Sequence, residues 1–159
     1  MEHSASDGVA PGSKLLRTAV GLLARRDYSR AELRGRLLRS SGAHVARPSE
    51  AQVDQVLDTM QAKGLLSEER FVEGFIRTRA ARFGPARLRH ELLQRGVSEV
   101  LIEAAFKLQL RDEYEAARAL WLKRFKLAPA DAREWARQAR FLGARGFSHD
   151  VIRRVLQGR

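Results

Sequence analysis

Residues 63–97 read KGLLSEERFVEGFIRTRAARFGPARLRHELLQRGV, and this stretch decides the fold. It spells two helices and the stops around them. Ser67 caps a helix whose apolar positions, Phe71, Phe75 and Ile76, return at the helical period. Glu68 and Glu69 occupy its first turn, where the helix dipole favours negative charge. Gly84 breaks the chain and Pro85 restarts it, since proline suits a first helical position. The next helix shows Leu88, Leu92 and Leu93 and stops at Gly96. Ser98 and Glu99 then open a third, with Leu101, Ile102, Ala105 and Phe106 inward.

Downstream the same pattern returns fifty residues later. Phe71 maps to Trp121, Phe75 to Phe125, and Leu92 to Leu142. Arg95-Gly96-Val97-Ser98 maps to Arg145-Gly146-Phe147-Ser148, Leu101-Ile102 to Val151-Ile152, and Phe106 to Leu156. The spacing predicts helices over 113–126, from Pro129 and Asp131 to Gly146, and from Ser148 onward.

Upstream, a helix is expected from Lys14 to Arg26, carrying Leu15, Leu16, Ala19, Leu22 and Leu23. Ser29 with Glu32, and Ser49 with Gln52, have capping-box spacing. They open helices bearing Leu33, Leu37 and Leu38, and Val53, Val56, Leu57 and Met60. Residues 43–48 read as a loop. Against the second cycle the first runs with an offset of 55 at its start and 45 at its end, the 43–52 insertion making the difference. The fold class is therefore all-α: three tandem three-helix repeats in an elongated, curved array. A tail is expected over 1–12 and repeats over 13–64, 65–107 and 108–159. Stacked repeats of this length usually bind along an extended surface.

Composition narrows the function classes. The chain carries a net charge of +11, and 25 of its 30 basic residues are arginine. Arginine's planar fork grips phosphate or carboxylate in two places, so an anionic partner is indicated. Compositional bias of the genome accounts for most of the arginine excess over lysine, but not for the net charge. There is no cysteine, which excludes disulfides, thiolate metal ligands and cysteine nucleophiles. No apolar run approaches the roughly 20 residues of a membrane span, and the N-terminus lacks the order of a signal peptide. No membrane role and a cytoplasmic location are expected. The four histidines are isolated, and no glycine-rich phosphate loop ending in Gly-Lys occurs. Neither a metal site nor an ATPase is expected. Phe71, Phe75, Trp121, Phe125, Trp135 and Phe141 read as core.

The 63–97 stretch resembles the central signature of the RecX family. The resemblance rests on Gly64-Leu65, the acidic pair Glu68-Glu69, Arg70-Phe71, Arg77 and Arg79, Gly84, Arg87-Leu88, Glu91-Leu92 and Arg95-Gly96-Val97. Residues 22–38, LLARRDYSRAELRGRLL, are similar to the family's first repeat. The likeness spans roughly 14–156. Two positions depart from it: Glu68-Glu69 stands where an Asp-Asp pair is common, and Glu134 where Gly84 would map. The resemblance implies a monomeric, non-enzymatic regulator without cofactor, acting in DNA repair and the SOS response. Such a protein binds the RecA filament on single-stranded DNA, and inhibits strand exchange, ATP hydrolysis and coprotease activity.

Arg70, Arg77, Arg79, Arg82, Arg87 and Arg95, with Arg30, Arg34 and Arg137 in the other repeats, are the expected contact row toward acidic RecA side chains or DNA phosphates. On the helix after Ser67 these arginines are expected to point away from Phe71 and Phe75. The competing reading makes them solvated faces paired with glutamates, such as Arg87 with Glu91. Two rival functions also stand: a basic helical DNA-binding protein acting without RecA, and an enzyme whose pocket the sequence does not advertise.

Overall fold

The computed structural model describes residues 11–40, 47–109 and 112–158. Among these the chain forms nine α-helices and no strand. They are α1 Pro11–Leu23, α2 Arg30–Leu38, α3 Glu50–Ala62, α4 Glu68–Arg79, α5 Pro85–Gln94, α6 Glu99–Gln109, α7 Glu113–Arg124, α8 Ala132–Gly143 and α9 His149–Gln157. The chain divides between Glu68 and Glu69 into two compact units.

In the first unit, α1, α2 and α3 bury Leu15, Ala19, Leu33, Leu37, Val53 and Leu57 around one core. Each fully buried leucine or valine contributes about 1.5–3 kcal/mol. Ser29 is wholly buried, and its Oγ accepts the Glu32 N–H at 3.1 Å, satisfying an orphan donor at the start of α2. At α3 the full capping box forms: Ser49 Oγ accepts from Gln52 N–H at 3.2 Å, and Gln52 Oε1 accepts from Ser49 N–H at 2.9 Å. Helix α1 lies three residues upstream of its expected span. Arg26 leaves the helix to stack 3.6 Å from the Tyr28 ring centre and to pair with Glu32 at 3.2 Å. Of the tail expected over 1–12 only Pro11 and Gly12 are described, and they begin α1. Most of the loop expected over 43–48 lies outside the described residues.

The second unit holds two apolar clusters. One gathers Phe71, Val72, Ile76, Leu88, Leu92 and Ile102, and the other Ala117, Trp121, Leu142, Phe147, Ile152 and Val155. Ser98, Asp131 and Ser148 cap α6, α8 and α9 by accepting from Leu101, Glu134 and Val151 N–H groups. A backbone seam joins the two halves. Gly84 N–H donates to Arg145 C=O at 2.7 Å, and Ala86 N–H to Gly146 C=O at 3.3 Å. A Cβ on Gly84 would lie 2.4 Å from the Gly146 oxygen. One on Gly146 would lie 2.5 Å from the Arg87 nitrogen, and Gly146 also has a φ of 83°, which side chains disfavour. Only glycines permit this approach.

One expected core aromatic is misplaced by the pattern. Trp135 is 41% exposed. It stands in the first turn of α8, and the buried slot beside Trp121 is filled by Gln138 instead.

Candidate interaction surface

Several of the nine candidate arginines are held by carboxylates. In the first unit, Arg30 and Arg34 are both held. Arg34 Nε donates to Asp54 at 2.8 Å and its Nη2 to Glu50 at 2.8 Å. Arg30 Nη2 donates to Asp58 at 2.7 Å and its Nη1 to Gln61 Oε1. Its backbone N–H donates to Glu68 at 3.1 Å. Glu50, Asp54 and Asp58 repeat every four residues and so form one acidic edge of α3. The hydrogen bonds from Arg34 hold the Asp54 carboxyl below its ordinary pKa, and those with Asp54, then Glu50, hold the Arg34 proton more firmly than usual. These two arginines tie α2 to α3.

In the second unit, Arg79, Arg87 and Arg95 converge on one carboxylate. Glu91 is only 15% exposed at its side chain. It accepts from Arg79 Nη1 at 2.8 Å and Arg87 Nε at 3.1 Å, and lies 3.8 Å from Arg95 Nη1. Arg95 also donates to the Glu91 carbonyl at 2.8 Å. Arg79 and Arg95 sit 4.6 and 5.0 Å from the centre of the Phe75 ring, and Arg87 sits 4.4 Å from that of Phe83. The expectation that Arg79 points away from Phe75 is therefore corrected: the ring face attracts the cation, and Glu91 on α5 fixes it there. Arg87 Nη1 further donates to the Ala144 carbonyl at 3.3 Å, at the C-terminal end of α8, where the dipole favours a cation. Three guanidiniums share one carboxylate, so the cluster keeps an excess of positive charge.

The rest differ. Arg137 lies 3.8 Å from Glu134 and 5.6 Å from the Phe125 ring centre. Arg70 is exposed near the start of α4. Arg77 and Arg82 are exposed and have no ion pair among the described residues. Arg77 borders a groove of about 720 Å³ lined by Ile76, Ala80, Phe83, Leu108 and Phe147. Arg82 borders a separate concavity of about 580 Å³ with Phe83, Leu120, Lys123 and Arg145. Among the described residues no group of histidines and carboxylates could hold a metal ion, and no helix is long and apolar enough to cross a membrane.

The chain as a whole is similar to known proteins. Models of the second and third three-helix domains of RecX match residues 67–105 and 111–156. Regulatory protein RecX of Leptothrix cholodnii is 46% identical over 147 residues, covering 92% of this chain and 90% of that protein. The chain belongs to the RecX family. Regulatory protein RecX of Pseudomonas savastanoi pv. phaseolicola is 47% identical over 145 residues, covering 90% of each. The crystal structure of RecX from Lactobacillus salivarius superposes with a TM-score of 0.74 at 22% identity, covering 92% of this chain and 95% of that one. That likeness carries the all-helical repeat fold. The RecX relatives are regulatory proteins by name, and this chain is a member of that regulatory family.

Lys123 and Arg145 lie outside the contact row expected from the sequence. Neither has an ion pair among the described residues. The signal was available in part: Arg145 is the fifty-residue equivalent of Arg95, but the residue four before it is Phe141 where Arg95 has Glu91.

Proposed function

We propose that this chain binds the RecA filament on single-stranded DNA and restrains it, lowering strand exchange, ATP hydrolysis and coprotease activity. It acts as a cytoplasmic, non-enzymatic regulator in DNA repair and the SOS response, and works as a monomer without a cofactor. The observation that carries this reading is 46% identity over 92% of the chain to a protein named regulatory protein RecX. The surface chemistry supports it. The chain's net charge of +11 suits an acidic or phosphate-bearing partner. Arg77 and Arg82, which make no ion pair among the described residues, are better placed to give their charge to a partner than Arg30 and Arg34.

The test is RecA-catalysed, single-strand-dependent ATP hydrolysis, with the protein titrated at two salt concentrations. Hydrolysis should fall with dose at substoichiometric protein, and less steeply at higher salt, because exposed ion pairs are screened. Unchanged hydrolysis at every dose removes the reading. Unchanged hydrolysis together with tight DNA binding installs the alternative, a basic helical protein that acts on DNA without RecA.

A further inference from the structure

We propose that Arg82, Lys123 and Arg145 form a phosphate-binding site for single-stranded nucleic acid. This deepens the function above by assigning a direct contact to the DNA strand rather than to RecA. The residues come from the 81–83 turn after α4, from the C-terminal end of α7, and from the turn after α8. They line one concavity of about 580 Å³, whose remaining walls are Ala81, Phe83, Ala119 and Leu120.

Three features carry the inference. First, no carboxylate lines this concavity, and none of the three cations has an ion pair among the described residues. Arg30, Arg34, Arg79 and Arg87 meet the opposite condition at Asp58, Glu50, Asp54 and Glu91. Like charges converging without a counter-charge repel, and an anion relieves that repulsion. Second, the Arg145 side of the site is held in place before any ligand arrives. The Gly84 to Arg145 and Ala86 to Gly146 backbone bonds fix the 81–83 turn beside Arg145. Arg145 is itself held 3.8 Å from the Phe141 ring centre, donating one N–H to the Phe141 carbonyl at 3.1 Å. Its other donors remain for an oxyanion. Third, the floor is apolar. Phe83 and Leu120 suit the sugar and base faces that a single strand leaves uncovered, while the arginine forks and the lysine ammonium suit its phosphates.

The test is fluorescence anisotropy of a labelled oligothymidylate against the full chain, without RecA, over a range of salt. The variant is Arg82→Ala/Lys123→Ala, with Arg133→Ala/Arg153→Ala as an equal loss of charge outside the concavity. The site variant should bind about tenfold or more weakly, and each phosphate contact it loses should lower the slope of log Kd against log salt by about 0.7. The control pair should change the slope by less, and Arg82→Lys/Lys123→Arg should restore binding. Circular dichroism shows that each variant remains helical. Three results overturn the site: no binding by the unmodified chain at low salt, equal losses in site variant and control, or unchanged oligonucleotide affinity in the site variant. The last result combined with weakened restraint of RecA hydrolysis assigns the triad to an acidic protein surface. RecA restraint by the unmodified chain can survive every one of these outcomes, so the two readings fail separately.

Discussion

The second and third repeats share one frame and fill it differently. Leu88 is fully buried in the second, and its equivalent fifty residues on, Gln138, is 2% exposed. The change is matched across the helix pair. Phe71 in α4 becomes Trp121 in α7, and the Trp121 Nε1–H donates to Gln138 Oε1 at 2.7 Å. Gln138 Nε2 in turn donates to the Leu127 carbonyl at 3.4 Å. A third equivalence is Glu91, which gathers three arginines, against Phe141, which packs edge-on to Phe125 at 5.1 Å and lies beneath Arg145. A polar group enters a helical core when its partner enters with it. An ionic junction in one copy can be aromatic in the next.

The comparison breaks most severely at its apolar end. Phe71→Ala should cost about 3–5 kcal/mol, through lost burial and the cavity left behind. Urea denaturation followed by circular dichroism measures it, and a cost under about 1 kcal/mol would remove Phe71 from the core. The polar end sharpens the comparison. Gln138→Leu alone should cost about 1–3 kcal/mol, because it strands the Trp121 N–H in a buried site. Gln138→Leu with Trp121→Phe recreates the second repeat's pairing. It should cost less than the sum of the single changes, and a double-mutant cycle reads the coupling directly. Additivity would mean that the two residues do not depend on one another.

The first unit joins α2 to α3 by ions, and there the smallest effect is expected. Asp54 is held below its ordinary value by Arg34. A carboxyl with a depressed folded pKa adds stability above its unfolded value, about 3.9, and loses it as pH falls toward the folded one. Asp54→Asn should therefore leave a flatter decline of the urea midpoint on the acid side, with a slight loss near neutrality. Identical acid limbs in the two proteins would show that the Arg34 contact adds nothing to stability.

Much of the fold was legible in the sequence because helix caps and apolar periodicity are local. Ser49-x-x-Gln52, Gly84-Pro85 and the recurring Arg-Gly-apolar-Ser turn announce their geometry within a few residues. The fate of the arginines was less legible. Arg87 with Glu91 is a pair four apart on one helix and can be anticipated. Arg79 with Glu91, Arg34 with Asp54 and Arg30 with Asp58 lie 12, 20 and 28 residues apart on different helices, and only packing brings them together. Trp135 shows the complementary limit. An apolar period marks which side of a helix faces inward, but not how much cover a helix end receives.

The seam at Gly84 and Gly146 separates two kinds of response to the surroundings. Its bonds run between neutral backbone groups, and its closeness depends on the absence of side chains. Ionic strength has little hold on either. Charge-driven contacts on the same unit weaken as counterions accumulate. Raising salt should thus release a bound anion while the joint between the two repeats keeps its shape. The grip of the proposed anion site can be tuned by salt while the backbone joint stays as it is.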